Sequence, residues 1–127
     1  MNVKSIAFVV LFTLLAGMVV LNAQQAPEER PPDDVRGTWI IYSDNVNNGG
    51  TARKYITLRQ DGNKLTGHFK GPNQSGGIEG WVNGHHIEFS TKTRNVLNFH
   101  GQIDGNKMSG MYGIHGRHAE WHAVRTD

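Results

Sequence analysis

Seven histidines stand out among the residues of this sequence that could do chemistry, because imidazole is a common metal ligand and general base. His85 and His86 are adjacent, so on a strand their side chains would point to opposite faces. His118 and His122 would share a face, but they would lie about 13 Å apart along a strand. Zinc needs three or four converging ligands. We therefore predict no metal site and interpret the histidines as scattered surface residues.

Carboxylates and nucleophiles indicate no active site. Glu79 and Glu88 are predicted to lie opposite each other in a hairpin, but on its outer face, where two like charges only repel. A glycosidase needs two carboxylates that flank a cleft. The sequence has no cysteine, and no serine stands in a G-x-S-x-G setting. We therefore predict no catalytic residue and no cofactor.

Strands must position any site, because no stretch shows helical periodicity. A unit of hydrophobic, any, glycine, any, hydrophobic residues recurs along the chain. It occurs at 65–69, 78–82, 99–103 and 108–112. The dipeptides between the predicted strands favour two-residue hairpin turns. They are Asp61-Gly62, Asn83-Gly84 and Asp104-Gly105.

Turns at these dipeptides place the apolar residues of each hairpin on one face, which a one-residue slip would not. They pair Gly101 with Met108 and Gly110 with Phe99, so that each glycine faces a large side chain and the sheet has room to coil. The predicted strands are about 37–43, 52–60, 63–70, 77–83, 86–91, 96–103, 106–112 and 118–125. This predicts an all-β, eight-stranded antiparallel up-and-down meander barrel. A flattened sandwich is the alternative.

The connections differ between the two ends of this barrel. One end has the three tight turns, and the other has polar, glycine-rich connections at 44–51, 71–76, 92–95 and 113–117. Binding residues are often found on such loops above a rigid scaffold. Inward-pointing positions near this end, together with residues on its rim, predict a ligand-binding site. These residues are Ser43, Lys54, Phe69, Thr91, Arg94, Tyr112, His115 and Arg117. Alternatively, Lys54 reaches solvent and the aromatic residues only fill the core.

The chain divides into three segments. Residues 1–23 have a charged start at Lys4, an apolar stretch and a small residue at Ala23, as in a secretory signal peptide. An uncleaved membrane anchor is the alternative. Residues 24–35 are polar and proline-rich, which predicts a disordered lead-in, and 36–127 form the barrel domain. Cleavage would remove Lys4 and lower the formal charge from +2 to +1, which argues against a nucleic-acid partner.

Gly37-Thr38-Trp39 in the first strand and Arg125 in the last resemble the calycins, the lipocalin and avidin type of barrel. The segment 61–69, DGNKLTGHF, is similar to the second hairpin of avidins. The motifs LxQDGxKLTG at 58–67 and WxAxR at 121–125 resemble small secreted bacterial β-barrel domains. The resemblance implies that Trp39 plugs the closed end and that Arg125 packs across it. Ile41 stands where avidin-type barrels place a polar ligand contact, so biotin is not predicted.

We therefore predict a secreted or periplasmic, lipocalin-like barrel that binds a small anionic or amphipathic ligand at its open end. One alternative is a protein-interaction, inhibitor or envelope-associated barrel that acts through its loops and Trp81. Tryptophan is enriched at interface hot spots, so Trp81 would contact a protein partner or a second copy of the chain. Another alternative is a small isomerase or cyclase.

Overall fold

A computed structural model describes residues 30–44 and 50–126, so the predicted signal peptide lies outside the described residues. Eight antiparallel strands follow one another around a closed barrel, and β1 also pairs with β8. The strands are β1 (Gly37–Asp44), β2 (Thr51–Asp61), β3 (Lys64–Lys70), β4 (Ser75–Asn83), β5 (His86–Lys92), β6 (Asn98–Asp104), β7 (Lys107–Ile114) and β8 (Arg117–Arg125). The predicted up-and-down barrel is confirmed, and the sandwich alternative is wrong. In the described ranges, no helix is long and apolar enough to cross a membrane.

The three tight turns lie one residue further along the chain than the dipeptides predict. They are Gly62-Asn63, Gly84-His85 and Gly105-Asn106. The first residue of each turn is a glycine with a φ of 58° to 60°, as a type II′ turn requires. Because each cross-strand partner moves by two residues, the inward-facing positions are unchanged. The shift also brings Asp61 opposite Lys64 and Asp104 opposite Lys107, which favours this register through opposite charges.

This shift overturns the predicted glycine partners. Gly101 pairs with Gly110 rather than Met108, and the two glycines leave space that the indole of Trp121 occupies. A Cβ on Gly101 would lie 3.0 Å from Trp121 Cζ2. The indole N–H of Trp121 donates to the carbonyl oxygens of His100, at 3.2 Å, and Met111, at 3.0 Å. The glycine pair therefore admits a large aromatic residue from β8.

Aromatic rings form the centre of the core. Phe99 stacks on Phe89 with ring centroids 4.7 Å apart and on Tyr112 with centroids 5.3 Å apart. The edge of Trp121 meets Phe99 with centroids at 5.5 Å. Aliphatic side chains from all the strands surround this cluster and are almost completely buried. The middle of the barrel is thus a packed core and does not form a channel.

Residues 30–36, which include the end of the segment predicted to be disordered, run across the closed end of the barrel. Val35 is fully buried there, and its carbonyl oxygen accepts a 2.9 Å hydrogen bond from Trp39 Nε1. The guanidinium of Arg125 lies 4.4 Å from the Trp39 ring centroid and donates to the carbonyl oxygens of Asp34 and Arg36. A hydrogen bond from the Arg36 side chain holds the pKa of Asp34 well below its usual range. The last described residues before β1 thus close the barrel.

The other end is open and carries longer connections at 71–74 and 93–97, and most of the predicted connection at 44–51 lies outside the described residues. The prediction of a longer connection at 113–117 is wrong, because Ile114 pairs with Arg117 and leaves a two-residue turn. Its residues, His115 and Gly116, have φ values of 49° and 76°. Two positive φ values are the mark of a type I′ turn, which suits the twist of a tight hairpin.

Candidate functional site

A recess of about 120 Å³ opens between the connections at the open end, and we call it the mouth recess. Its walls come from β2, β3, β7 and the connections 71–74 and 93–97. The lining residues are Ala52, Lys54, Phe69, Gly71, Pro72, Asn73, Gln74, Arg94, Asn95, Leu97, Tyr112 and Ile114. Buried apolar side chains thus meet two cations and several amides in one small space.

Lys54 is the chemically distinctive residue of the mouth recess. It lies on β2 and is only 6% exposed, although lysine is almost never fully buried without a partner. Its Nζ donates a hydrogen bond to Ser43 Oγ on β1 and lies 5.1 Å from the Tyr112 ring centroid. No carboxylate of the described residues forms an ion pair with it. Burial lowers the pKa of Lys54, because a low-dielectric surrounding disfavours the charged form.

Tyr112 connects the mouth recess to the end of β1. Its ring stacks on Phe99 of the core, and its hydroxyl donates to the carbonyl oxygen of Asp44. This hydrogen bond fixes the ring beside Lys54, so the cation and the aromatic face keep their relative position. Phe69 and Leu97, both buried, provide the apolar part of the wall.

Side-chain amides join the two connections that flank the recess. Gln74 donates from Nε2 to the carbonyl oxygen of Asn95 at 2.7 Å, and its Oε1 accepts from the Asn95 backbone N–H at 3.0 Å. Asn95 Oδ1 is also 3.1 Å from His115 Nε2. The connections 71–74 and 93–97 and the turn at His115 therefore hold one another in place, which preorganises this side of the recess.

The structure brings together four of the eight residues predicted to bind a ligand. Lys54, Phe69, Arg94 and Tyr112 all line the mouth recess. Ser43 is buried behind Lys54 and reaches the recess only through its hydrogen bond to that amine.

The other three predicted residues do not line the recess. Thr91 is buried, and its Oγ1 accepts the Leu97 backbone N–H at 3.0 Å, so it supports the 93–97 connection. His115 contacts Asn95 from the rim. Arg117 is exposed at the start of β8. Parity along a strand predicts which side chains point inward, but it does not show how far each one reaches.

Sequence reasoning missed the Gln74–Asn95 pair and the apolar contributions of Ala52, Leu97 and Ile114. The only sequence signal for the Gln74–Asn95 contact is that the connections 71–74 and 93–97 lie at the same end of the predicted barrel. Their contact depends on backbone positions in irregular segments, which strand periodicity does not encode.

The histidines and the carboxylates of the described residues lie on the outer surface of the barrel or at its ends. In the part of the chain that the structure describes, no three histidine, cysteine, aspartate or glutamate residues converge on a metal position. The predicted pairing of Glu79 with Glu88 is wrong, because the shifted register places Glu79 opposite Ser90 and Glu88 opposite Trp81. Glu79 instead lies 3.0 Å from Lys92 Nζ. These groups provide no acid–base pair at a cleft.

Broader grooves run along the outer surface, including one of about 630 Å³ beside β1, β7 and β8. Much of its wall is exposed polar side chain, such as Ser109, Glu120 and His122. A groove lined by exposed polar side chains lacks the apolar walls typical of small-molecule sites, so its larger volume does not make it the better site. The mouth recess is smaller, but it places the buried amine of Lys54 beside the Tyr112 ring.

Fold and site together define a class: a closed eight-stranded antiparallel barrel, consistent with a calycin-like fold, with a polar and aromatic recess at its open end. No protein-family model matches the chain, and no curated protein sequence matches it.

Proposed function

We propose that this protein binds a small anionic molecule with an apolar part in the mouth recess. The observation that supports the proposal is Lys54, a nearly buried amine that forms no ion pair with a carboxylate in the described part of the chain. A protonated amine in such a place is costly unless a counter-charge arrives. A bound carboxylate would supply this charge, and Arg94 adds a second cation at the same recess.

The remaining walls suit the apolar part of such a ligand. Phe69, Leu97 and Tyr112 are buried side chains that line the recess, and apolar walls with a few polar anchors are typical of small-molecule sites. The finer assignment as a secreted or periplasmic, lipocalin-like barrel is part of this proposal. The contact between Trp39 and Arg125 supports it, since the calycin resemblance implies that contact.

The first prediction concerns aryl and short alkyl carboxylates such as benzoate and hexanoate. We expect them to raise the melting temperature of the protein, since a ligand that binds only the folded state stabilises it by mass action. Lys54→Met should abolish this rise, because it keeps a similar volume and removes the charge. The measurement is thermal unfolding with and without millimolar carboxylate.

Lys70→Met is the matched control, because Lys70 is an exposed lysine at the end of β3 and does not line the recess. It should respond to carboxylates as the wild-type protein does. The proposal fails if no carboxylate stabilises the wild-type protein, or if Lys54→Met keeps the full response.

Trp81 supports a second candidate function, contact with another protein or with a second copy of the chain. Its side chain is 42% exposed on the outer face of β4, and its ring centroid lies 5.5 Å from that of His86. An exposed tryptophan held beside another ring is a rigid, low-entropy contact residue.

For this candidate, we expect wild-type protein to sediment as a dimer or larger species at high micromolar concentration. Trp81→Ala should sediment as a monomer, because it removes the contact that holds the copies together. Tyr55→Ala, which removes an exposed aromatic residue from β2, serves as the comparison. A monomer at all concentrations excludes self-association, and equal dimerisation of wild-type and Trp81→Ala excludes Trp81 as the contact.

A further inference from the structure

We infer that Lys54 is also a nucleophile, and that its amine condenses with the carbonyl group of a small aldehyde or keto acid in the mouth recess. The inference rests on the proposed function in one respect, since it uses the same recess and the same class of anionic, partly apolar ligand. It goes further because it assigns a covalent bond to one atom, Lys54 Nζ.

The position of the amine carries the inference. Lys54 Nζ is fixed by its hydrogen bond to Ser43 Oγ and lies against the Tyr112 ring, on the wall of the mouth recess. A fixed amine reacts more readily with a bound carbonyl than a mobile one, because the orientation is already set. A surface lysine, with four rotatable bonds in water, has no such advantage.

The electrostatic surroundings favour the reactive form of this amine. Only the neutral amine attacks a carbonyl, and burial lowers the pKa of Lys54, which increases its neutral fraction near pH 7. The groups that face Lys54 include no carboxylate in the described ranges that would restore the proton by ion pairing. Ser43 of β1 and Tyr112 of β7 contact its Nζ, and Phe69 of β3 and Arg94 of the 93–97 connection line the same recess.

The reaction balances without an oxidant or a reductant. The lone pair of Nζ forms a bond to the carbonyl carbon as the C=O π bond breaks, and a proton passes from nitrogen to the carbonyl oxygen to give a carbinolamine. The hydroxyl group then leaves with a second proton as water, and nitrogen loses its remaining proton. Aldehyde and amine thus give an imine and one water molecule.

The lining of the recess narrows the ligand class. Arg94 is a permanent cation that suits a carboxylate, while Leu97 and Ile114 suit an aryl or short alkyl group. A volume of about 120 Å³ suits the reacting end of a small molecule. The fitting ligand is therefore a small oxo-acid whose carbonyl carbon reaches Lys54 while its carboxylate stays near the rim.

Reductive trapping tests the inference. The protein is treated with limiting 4-carboxybenzaldehyde and sodium cyanoborohydride, which reduces an imine to a stable secondary amine, and labelled peptides are then identified by mass spectrometry. We expect a carboxybenzyl group on Lys54 at least about tenfold faster than on Lys70, because the orientation of the Lys54 amine toward a bound carbonyl is set before the reaction. The labelling rate of Lys54 should also level off at a lower pH than that of the free model amine Nα-acetyllysine, because burial lowers the pKa of Lys54. Equal labelling of the two lysines, or identical pH profiles for Lys54 and Nα-acetyllysine, would overturn the inference.

Two variants separate this inference from the proposed function. Lys54→Arg keeps a cation but cannot form an imine, because a guanidinium does not lose its proton in proteins. Lys70→Arg is the matched control and should leave the labelling of Lys54 unchanged. Adduct formation elsewhere in Lys54→Arg, at the rate seen for Lys54 in the wild-type protein, would also overturn the inference.

A carboxylate with an alcohol in place of the aldehyde group, 4-(hydroxymethyl)benzoate, completes the design. If it raises the melting temperature and the aldehyde leaves Lys54 unlabelled, binding stands and the covalent step falls. If Lys54 is labelled selectively and the alcohol has no effect, the covalent step stands and anion binding falls. If neither response occurs, both are overturned.

Discussion

Replacement of Gly110 by alanine is expected to lower the free energy of unfolding by about 3 kcal/mol, the upper range for overpacking a filled core. A Cβ at this position would lie 2.6 Å from the Cα of Gly101, and the carbonyl oxygen of His100 would be closer still. Both are backbone atoms of the adjacent strand β6, so no side chain can rotate away. Relief requires the β6–β7 ladder to open, and this would disturb the two indole hydrogen bonds of Trp121.

Gly77→Ala is the matched control for this prediction. Gly77 also lies within a strand, but a Cβ there would have its nearest neighbour at 3.6 Å, an ordinary contact. Since alanine restricts the unfolded chain more than glycine does, this variant should be neutral or slightly stabilising. Urea denaturation followed by tryptophan fluorescence measures both variants. Equal midpoints for Gly110→Ala and Gly77→Ala would show that the close approach at Gly110 does not affect the free energy of unfolding.

Trp39→Ala should cost about 3 to 5 kcal/mol, as the truncation of a fully buried tryptophan usually does. Its indole is completely buried at the closed end, donates to the carbonyl oxygen of Val35 and lies under the guanidinium of Arg125. The truncation leaves a cavity and removes the surface on which Arg125 and residues 30–36 pack. We therefore expect that segment to detach and become sensitive to protease.

Trp81→Ala removes the same side chain from an exposed position and should change stability by less than about 0.5 kcal/mol. Trp39→Phe keeps part of the buried volume, so it serves as a second variant if Trp39→Ala does not fold. We expect its loss in free energy of unfolding to be larger than that of Trp81→Ala and smaller than the loss predicted for Trp39→Ala. Denaturant midpoints and limited proteolysis measure these variants. A small loss in free energy of unfolding for Trp39→Ala, with residues 30–36 still protected from protease, would contradict the proposed role of Trp39 in packing the closed end of the barrel.

The sequence predicts the fold well because the residues of each hairpin are enough to indicate its strands, its turn and its buried face. Alternating apolar residues and glycine-containing turns indicate eight strands and the face of each one, and the barrel has that topology. The sequence does not determine the exact turn positions, since Asp61-Gly62 and Gly62-Asn63 both suit a tight hairpin. The first pair places Gly62 second in the turn, and the second pair places it first. The structure selects the second, which places Asp61 opposite Lys64. An error in this choice keeps the faces but changes the partners, as it does for Gly101.

The candidate site is predicted only in part, for a related reason. Inward parity finds Lys54, Phe69 and Tyr112, because strand geometry alone brings them to the open end. It does not find Gln74 or Asn95, whose contact depends on the path of irregular connections. It also does not separate Ser43, which acts behind Lys54, from residues that line the recess. Long-range contacts between loops need three-dimensional coordinates.

The pairing of β1 with β8 has a consequence for how the chain folds. Every other pairing joins strands that are neighbours in sequence, whereas this one joins the first described strand to the last. Closing so large a loop is entropically costly, so we expect ring closure to limit the folding rate. Until closure occurs, β1 and β8 expose unpaired edges that can recruit other chains, and afterwards the barrel has no free edge. We therefore expect the protein to gain its resistance to aggregation when β1 pairs with β8.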